Sequence, residues 1–562
     1  MTRKYIPFLT AALFAAAVSA EVGTQVKQMR FSAPLRGYDL SLAGNFMEAR
    51  PNHFHGGLDF KTQMAVGKPL YGISDGYVSR ITVGMNGFGN ALYISYPNGV
   101  TSIFGHLKKF SPKIEAALKA YQYKHETYEC DMRIAPNVLP VKEGEIVAFS
   151  GNTGASEGPH LHLELHRTAN DEFLDPMPYF KHLFKDTTAP VAKAIMVYPQ
   201  RGEGAVNYGQ IEQPVGLTKS GTTRTMKVWG KIGLGVMDFD FMDGTYNHYG
   251  VHKVELFCEG KKLFQSTTDG FLPLENRMVN SWGDLPMFRI TGLWYMKSFI
   301  EPGNQLRVLW ADANRGIITI TQERDYHFKY VLTDHFGNRS EYNFTLRGEK
   351  QKIRPYTPPL TRHNLAWNEA NIVQEPGMQL AMPWGLLYEN LPMKVMIRQN
   401  NPKAPAPTYT FTKNPYPLNT WATLSIALRN KPTSNPKQYY IVQRSNRGIK
   451  YLPSTYKNGW VSAEIRELGD SYTIETDNEA PTIRPVSLSG PILRYFIQDT
   501  KSGIKTYKGK VDGKFVLFKN LGGGLSCNLA EAPVQKGRQH TLEMYAEDNC
   551  GNRRTDRRTF TY

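Results

Sequence analysis

The stretch GPHLHLELH, residues 158–166, carries three histidines, His160, His162 and His166, on even positions, with leucines between them on odd ones. On a β-strand the side-chain period is two, so the imidazoles share one face and the leucines pack on the other. A second run, HFHGGLDF at 53–60, supplies His55 and Asp59 beside two glycines that permit a sharp turn. His55, Asp59 and His162 together make one carboxylate and two imidazoles. Zinc in catalytic sites commonly takes three such protein ligands and leaves a fourth position for water. His160 falls on the same strand face as His162, close to a metal yet free to stay unligated. His106, in FGHL, ends another expected strand and is placed to meet the same site. Two unligated histidines there suit proton transfer and oxyanion stabilisation. A lone histidine on a strand is more often a surface or satisfied core residue, and that reading is preferred for His53, His125 and His166.

The elements that must position these residues are short and mostly extended. Strands are read at 69–83, 90–97, 100–107, 145–151 and 160–167, punctuated by Gly and Asn. One helix is expected within 111–138, around PKIEAALKAYQYKH. It interrupts the β pattern and reads as an insertion.

Three stretches, holding four motif blocks in order, carry a family resemblance. RPNHFHGGLDFKTQMAVGKPLYGISDGYVSRI (50–81), GHL (105–107) and VKEGEIVAFSGNTGASEGPHLHLELH (141–166) resemble the motif blocks of the lysostaphin/LytM-type zinc endopeptidases. The resemblance covers roughly 21–185. It implies an antiparallel β-sheet peptidase domain with one zinc held by His55, Asp59 and His162. It further implies that His106 and His160 are the paired catalytic histidines, which orient or deprotonate water and stabilise the tetrahedral intermediate. Asn152 and Ser156 fall in the loop before the HLH strand and are given a structural role. His166 has no family role and is expected to face solvent. Where the family has a short link, this chain has residues 108–140 with the helix and Cys130, placed to shape or cover the cleft. The substrate implied is the peptide part of peptidoglycan, in stem peptides or crosslinks. The alternative is a catalytically silent or occluded regulator of other wall hydrolases.

The 562 residues are too many for one core and point to three to five domains. MTRKYIPFLTAALFAAAVSA reads as a secretory signal peptide, residues 1–20, so the mature chain is expected to be exported, to the periplasm or beyond. No later run is apolar enough to span a bilayer. Lys and Arg are spread along a chain of formal charge +17, which favours an anionic envelope polymer over nucleic acid as partner. Two further segments begin and end alike: DTTAP (186–190) to DHFGNRSEYNFTL (334–346), and DNEAP (477–481) to DNCGNRRTDRRTF (548–560). Both are read as immunoglobulin-like β-sandwiches, spanning 186–350 (with an insertion near 269–325) and 477–562, separated by a less defined β domain at 351–476. Other envelope proteins are possible partners for them. Cys527 and Cys550 lie in one unit and are candidates for a disulfide, whereas Cys130 and Cys258 are not. The fold class is therefore mostly β: a peptidase domain followed by two or three sandwich domains.

Overall fold

A computed structural model describes residues 30–399, 402–411, 415–430, 435–446, 448–520 and 524–562. The expected signal peptide lies outside the described residues. The chain is mostly β. Its first sheet contains β1 (Leu42–Gly44), β2 (Gly57–Lys61), β3 (Gly76–Val83), β4 (Ala91–Ser95), β5 (Val100–Gly105), β6 (Cys130–Arg133) and β7 (His160–Arg167). The order β1-β2-β7-β5-β4-β3-β6 puts the histidine strand between β2 and β5. Alternation along β7 decides its faces: Leu161, Leu163 and Leu165 are fully buried with Leu58, Phe60 and Phe104 in one apolar cluster. The opposite face is left to the polar side chains.

The expected helix is α1 (Pro112–His125). Pro112 opens it, where a missing N–H costs nothing, and Glu126 closes it in the left-handed conformation. Ile114 and Leu118 bury one side. Another side meets the C-terminal unit: Tyr123 packs edge-on against Phe515, Lys119 pairs with Glu531, and Glu126 pairs with Lys508 and Lys510. The inserted segment is thus engaged by residues 508–531. Among the described residues, none from 111–140 hydrogen-bonds or stacks with the five predicted site residues.

Residues 191–348 form an eleven-stranded sheet with short helices in the anticipated insertion, Val279–Trp282 and Leu285–Thr291. This region is fused to the first. Phe46, Met47 and Phe54 belong to its apolar cluster, and Glu172–Leu174 pairs with Gly270–Phe271 across the junction. Residues 371–476 build two five-stranded sheets on a separate core, and residues 482–561 two four-stranded sheets on another. The suspected disulfide is absent. Cys527 and Cys550 are free and buried, the first in the C-terminal core and the second against Tyr440 and Val442 of the preceding unit. Each thiol serves as a small apolar filler in a different cluster, which keeps them apart.

Candidate metal centre

Register performs the first part of the assembly. His162 lies opposite Asp59 of β2 and opposite Gly105 of β5. Directly opposed residues share a face at close range. His55 reaches that face because Gly56 and Gly57 let the chain pass tightly over β7. A Cβ at Gly56 would meet Glu164 Oε1 at 2.2 Å, and one at Gly57 would meet the Leu163 carbonyl at 2.3 Å. His106 follows β5 with φ +59, a left-handed turn that swings its ring into the same space.

All five predicted residues converge. Asp59 Oδ1 lies 3.0 Å from His55 Nε2 and 2.7 Å from His162 Nδ1, and those two nitrogens are 3.0 Å apart. His160 Nε2 is 3.4 Å from the same oxygen. The His106 and His160 rings stand 4.8 Å apart between centroids. Phe88 stacks on His162 at 5.4 Å and closes one side.

The remaining ring nitrogens fix the tautomers. A carbonyl only accepts, so His55 Nδ1 donates to Asn45 O at 2.6 Å and leaves the Nε2 lone pair facing the centre. His162 Nε2 donates to Glu164 Oε1 at 2.8 Å, which leaves Nδ1 as the inward lone pair. His106 Nδ1 donates to Thr153 O at 2.7 Å and His160 Nδ1 to Gly158 O at 2.8 Å. Each imidazole is oriented by an acceptor on its outer side, as metal-binding histidines are. The donor set, two lone pairs and one carboxylate oxygen, suits zinc.

Electrostatics agree with a cationic occupant. Burial raises the Asp59 carboxyl, but His55, His160 and His162 more than reverse this and hold it well below the usual range. Burial disfavours charge on His162, yet Asp59 and Glu164 raise it to about 9, so without a metal its Nδ1 carries a proton toward Asp59 that a bound cation would replace. His106 is pushed down to about 4 by burial and then by His162, which keeps it neutral.

Four supporting groups were not singled out in the sequence: Glu164, Arg50 and the carbonyls of Asn45 and Thr153. Glu164 is buried and holds His162 with one oxygen and His166 with the other, at 2.8 and 2.7 Å. Its even position in HLHLELH was the available signal. His166 is accordingly not solvent-facing. It is 8% exposed, its ring packed at a tilt 4.2 Å from that of Phe173, and it gives the buried Glu164 its second donor. Arg50 approaches Asp59 Oδ2 at 3.3 Å. The Asn45 and Thr153 carbonyls carry no residue-type signal at all. Ser156 donates to Asn152 Oδ1 at 2.7 Å and lies 3.3 Å from His160 Nδ1, bracing the loop before β7.

Two imidazoles, one carboxylate and a second pair of histidines on one sheet face make a candidate metallohydrolase centre. Comparison with known proteins gives its relatives. Over about a quarter of the chain they are peptidases of the lysostaphin type. The chain is 31% identical over 112 residues to an uncharacterised metalloprotease of Haemophilus influenzae, covering 20% of this chain and 18% of that protein. It is 32% identical over 133 residues to the glycyl-glycine endopeptidase ALE-1 of Staphylococcus capitis, covering 23% and 29%. The chain thus spans less than a third of the length of these relatives. The solved catalytic domain of lysostaphin from Staphylococcus simulans is 23% identical, with 26% of this chain and 92% of that one covered at a TM-score of 0.19. Separately, residues 362–477 match the model of a Zu5-like domain. No described helix is long and apolar enough to cross a membrane.

Proposed function

We propose that this chain is an exported zinc-dependent endopeptidase that hydrolyses peptide bonds in peptidoglycan stem peptides or crosslinks. The observation that carries the reading is the convergence of His55 Nε2, Asp59 Oδ1 and His162 Nδ1 within 3.0 Å of one another, each imidazole tautomer fixed from behind. The names of relatives support the substrate class: a glycyl-glycine endopeptidase and a DD-carboxypeptidase/endopeptidase from Neisseria meningitidis. The positive charge suits an anionic wall polymer.

In this reading His55, Asp59 and His162 hold the metal. When bound, zinc supplies a Lewis acid that polarises the scissile carbonyl and acidifies water. His106 and His160 manage the protons. With Nδ1 of each engaged by a carbonyl, Nε2 is the atom that accepts a proton from attacking water and returns it to the departing amine. The low pKa of His106 keeps it an acceptor at neutral pH. Glu164, the Asn45 carbonyl and Arg50 position the ligands. Residues 21–185 form the peptidase unit, and the units at 186–350 and 477–562 are immunoglobulin-like supports that face the wall or other envelope proteins.

The test is release of new amino groups from purified peptidoglycan by the zinc-loaded chain and by His55→Ala. Release by the former alone is expected, and fragment masses name the bond. No release by either, despite bound zinc, would replace the peptidase with the regulator.

A further inference from the structure

The described residues hold three more clusters able to gather a metal ion: Asp175–His252–His335, Asp186–Asp240–Asp334 and Asp477–Asp499–Asp548. The last two occupy corresponding places in the two similar segments. Asp186 and Asp477 open them, in DTTAP and DNEAP; Asp334 and Asp548 start the closing DHFGN and DNCGN turns. The hydrogen bonding repeats as well. Asn338 donates from its side chain to Asp334 Oδ2 and to the Asp186 carbonyl, at 2.8 and 3.1 Å. Asn552 does the same to Asp548 Oδ2 and the Asp477 carbonyl, at 2.8 and 3.0 Å. The Asp-x-x-Gly-Asn turn is therefore a device that holds one carboxylate against the opening aspartate.

The two clusters differ in how their charge is met. In the C-terminal one, Asp499 Oδ2 accepts the main-chain amides of Lys501 and Gly503, and the Lys501 ammonium senses both Asp477 and Asp499. None of its carboxylate oxygens is both buried and unpartnered. In the first cluster, Asp186, Asp240 and Asp334 are 7, 4 and 3% exposed, with one oxygen of each within 4.8 Å of the others. Asp334 is satisfied by the amides of Phe336 and Asn338. Asp186 Oδ2 and Asp240 Oδ1, however, are buried with no hydrogen-bond partner. The Thr188 amide donates to the other Asp186 oxygen, Oδ1, at 3.0 Å, and with the amides of Asp243 and Phe241 it does not offset burial and mutual repulsion, which hold both carboxyls above their usual range. No Lys, Arg or His forms an ion pair with any of the three among the described residues. Buried carboxylates without a partner are costly, and a cation is the occupant that relieves both oxygens together.

We propose that Asp186, Asp240 and Asp334 bind one hard divalent cation of the calcium class. Three carboxylates with no imidazole or thiolate favour such a cation over zinc. Its place gives it a role. Asp240 exchanges both main-chain hydrogen bonds with Tyr249, whose hydroxyl donates to the Leu42 carbonyl at 2.8 Å. The next residue, Gly250, donates its amide to Asn45 Oδ1 at 2.9 Å, and the Asn45 carbonyl is the one that orients His55. The cation pins the 240–250 loop to the segment behind the histidine centre.

The experiment is calorimetric titration of calcium into the full chain, with equimolar zinc occupying the histidine centre, alongside thermal unfolding. Asp240→Asn and Asp499→Asn are measured in parallel. One calcium site is expected in the parent and in Asp499→Asn, with a calcium-dependent rise in Tm of roughly 3 °C or more. Asp240→Asn should lose both. A parent chain that neither takes up calcium nor shifts its Tm overturns the proposal, as does a site that survives Asp240→Asn. Peptidase activity is not read, so this result stands apart from the fate of the catalytic reading.

Discussion

The two Asp-framed units share a turn and a closing strand, yet they are attached to the histidine-bearing sheet in opposite ways. Residues 186–348 join it through a common core, an inter-unit strand pair and the Tyr249–Leu42 and Gly250–Asn45 bonds. Residues 477–562 meet it at α1 through partly exposed ion pairs and one aromatic edge. Apolar burial stabilises in proportion to area, whereas exposed ion pairs are screened and contribute little. The first unit is thus part of the scaffold that holds the candidate metal centre, and the second is docked onto it.

The strongest way to break this contrast is truncation. Ending the chain after residue 185 would expose Phe46, Met47 and Phe54, now 1, 3 and 1% exposed. That forfeits about 6 kcal/mol, comparable with a whole domain's stability. Such a fragment should fail to hold zinc in soluble form, while one ending at 476 should hold one zinc per chain. Equal zinc content in both would dissolve the distinction. Phe271→Ala tests the same seam within the full chain. Its ring stacks on Phe173 at 4.4 Å and touches Phe46 and Phe54. A loss of about 3–5 kcal/mol in denaturant unfolding is expected, with zinc content falling in step.

Glu164→Gln sharpens the comparison on the catalytic side, since it removes the charge and replaces one of the two oxygens that accept from His162 and His166 with a donating amide. Zinc affinity should fall about 10–100-fold with little change in fold, measured by competition with a chelator. The seam also predicts an acid response. Burial and then His335 push His252 down to about 4. Between that value and its ordinary 6.5 the unfolded chain binds more protons than the folded one, so stability should drop as pH falls through this window and level off below it. The total loss, worth about 3 kcal/mol, should vanish in His252→Gln. The smallest effect belongs to the docked unit. Glu126→Gln should cost under about 1 kcal/mol, and the difference should fade in 1 M salt. A large, salt-insensitive loss there would show that the C-terminal unit is scaffold after all.

What the sequence determined by itself was whatever depends on local periodicity and turn chemistry. The alternation of HLHLELH placed the imidazoles on one face, Gly56 and Gly57 marked the turn that admits His55, and Pro112 with the following apolar spacing marked α1. The resemblance then assembled His55, Asp59, His106, His160 and His162 into one candidate centre, and the five converge in the fold. The same strand also misled. His166 read as solvent-facing because nothing adjacent in sequence announces Phe173 and the shared carboxylate of Glu164 beside it. The tertiary structure alone decided which main-chain carbonyls orient the rings, that Cys527 and Cys550 serve different clusters, and that α1 turns toward residues 508–531. It also brought Asp240 between Asp186 and Asp334, from a strand end about 50 to 90 residues from either. These outcomes rest on long-range packing and on backbone atoms that every residue type carries alike, so no local pattern encodes them.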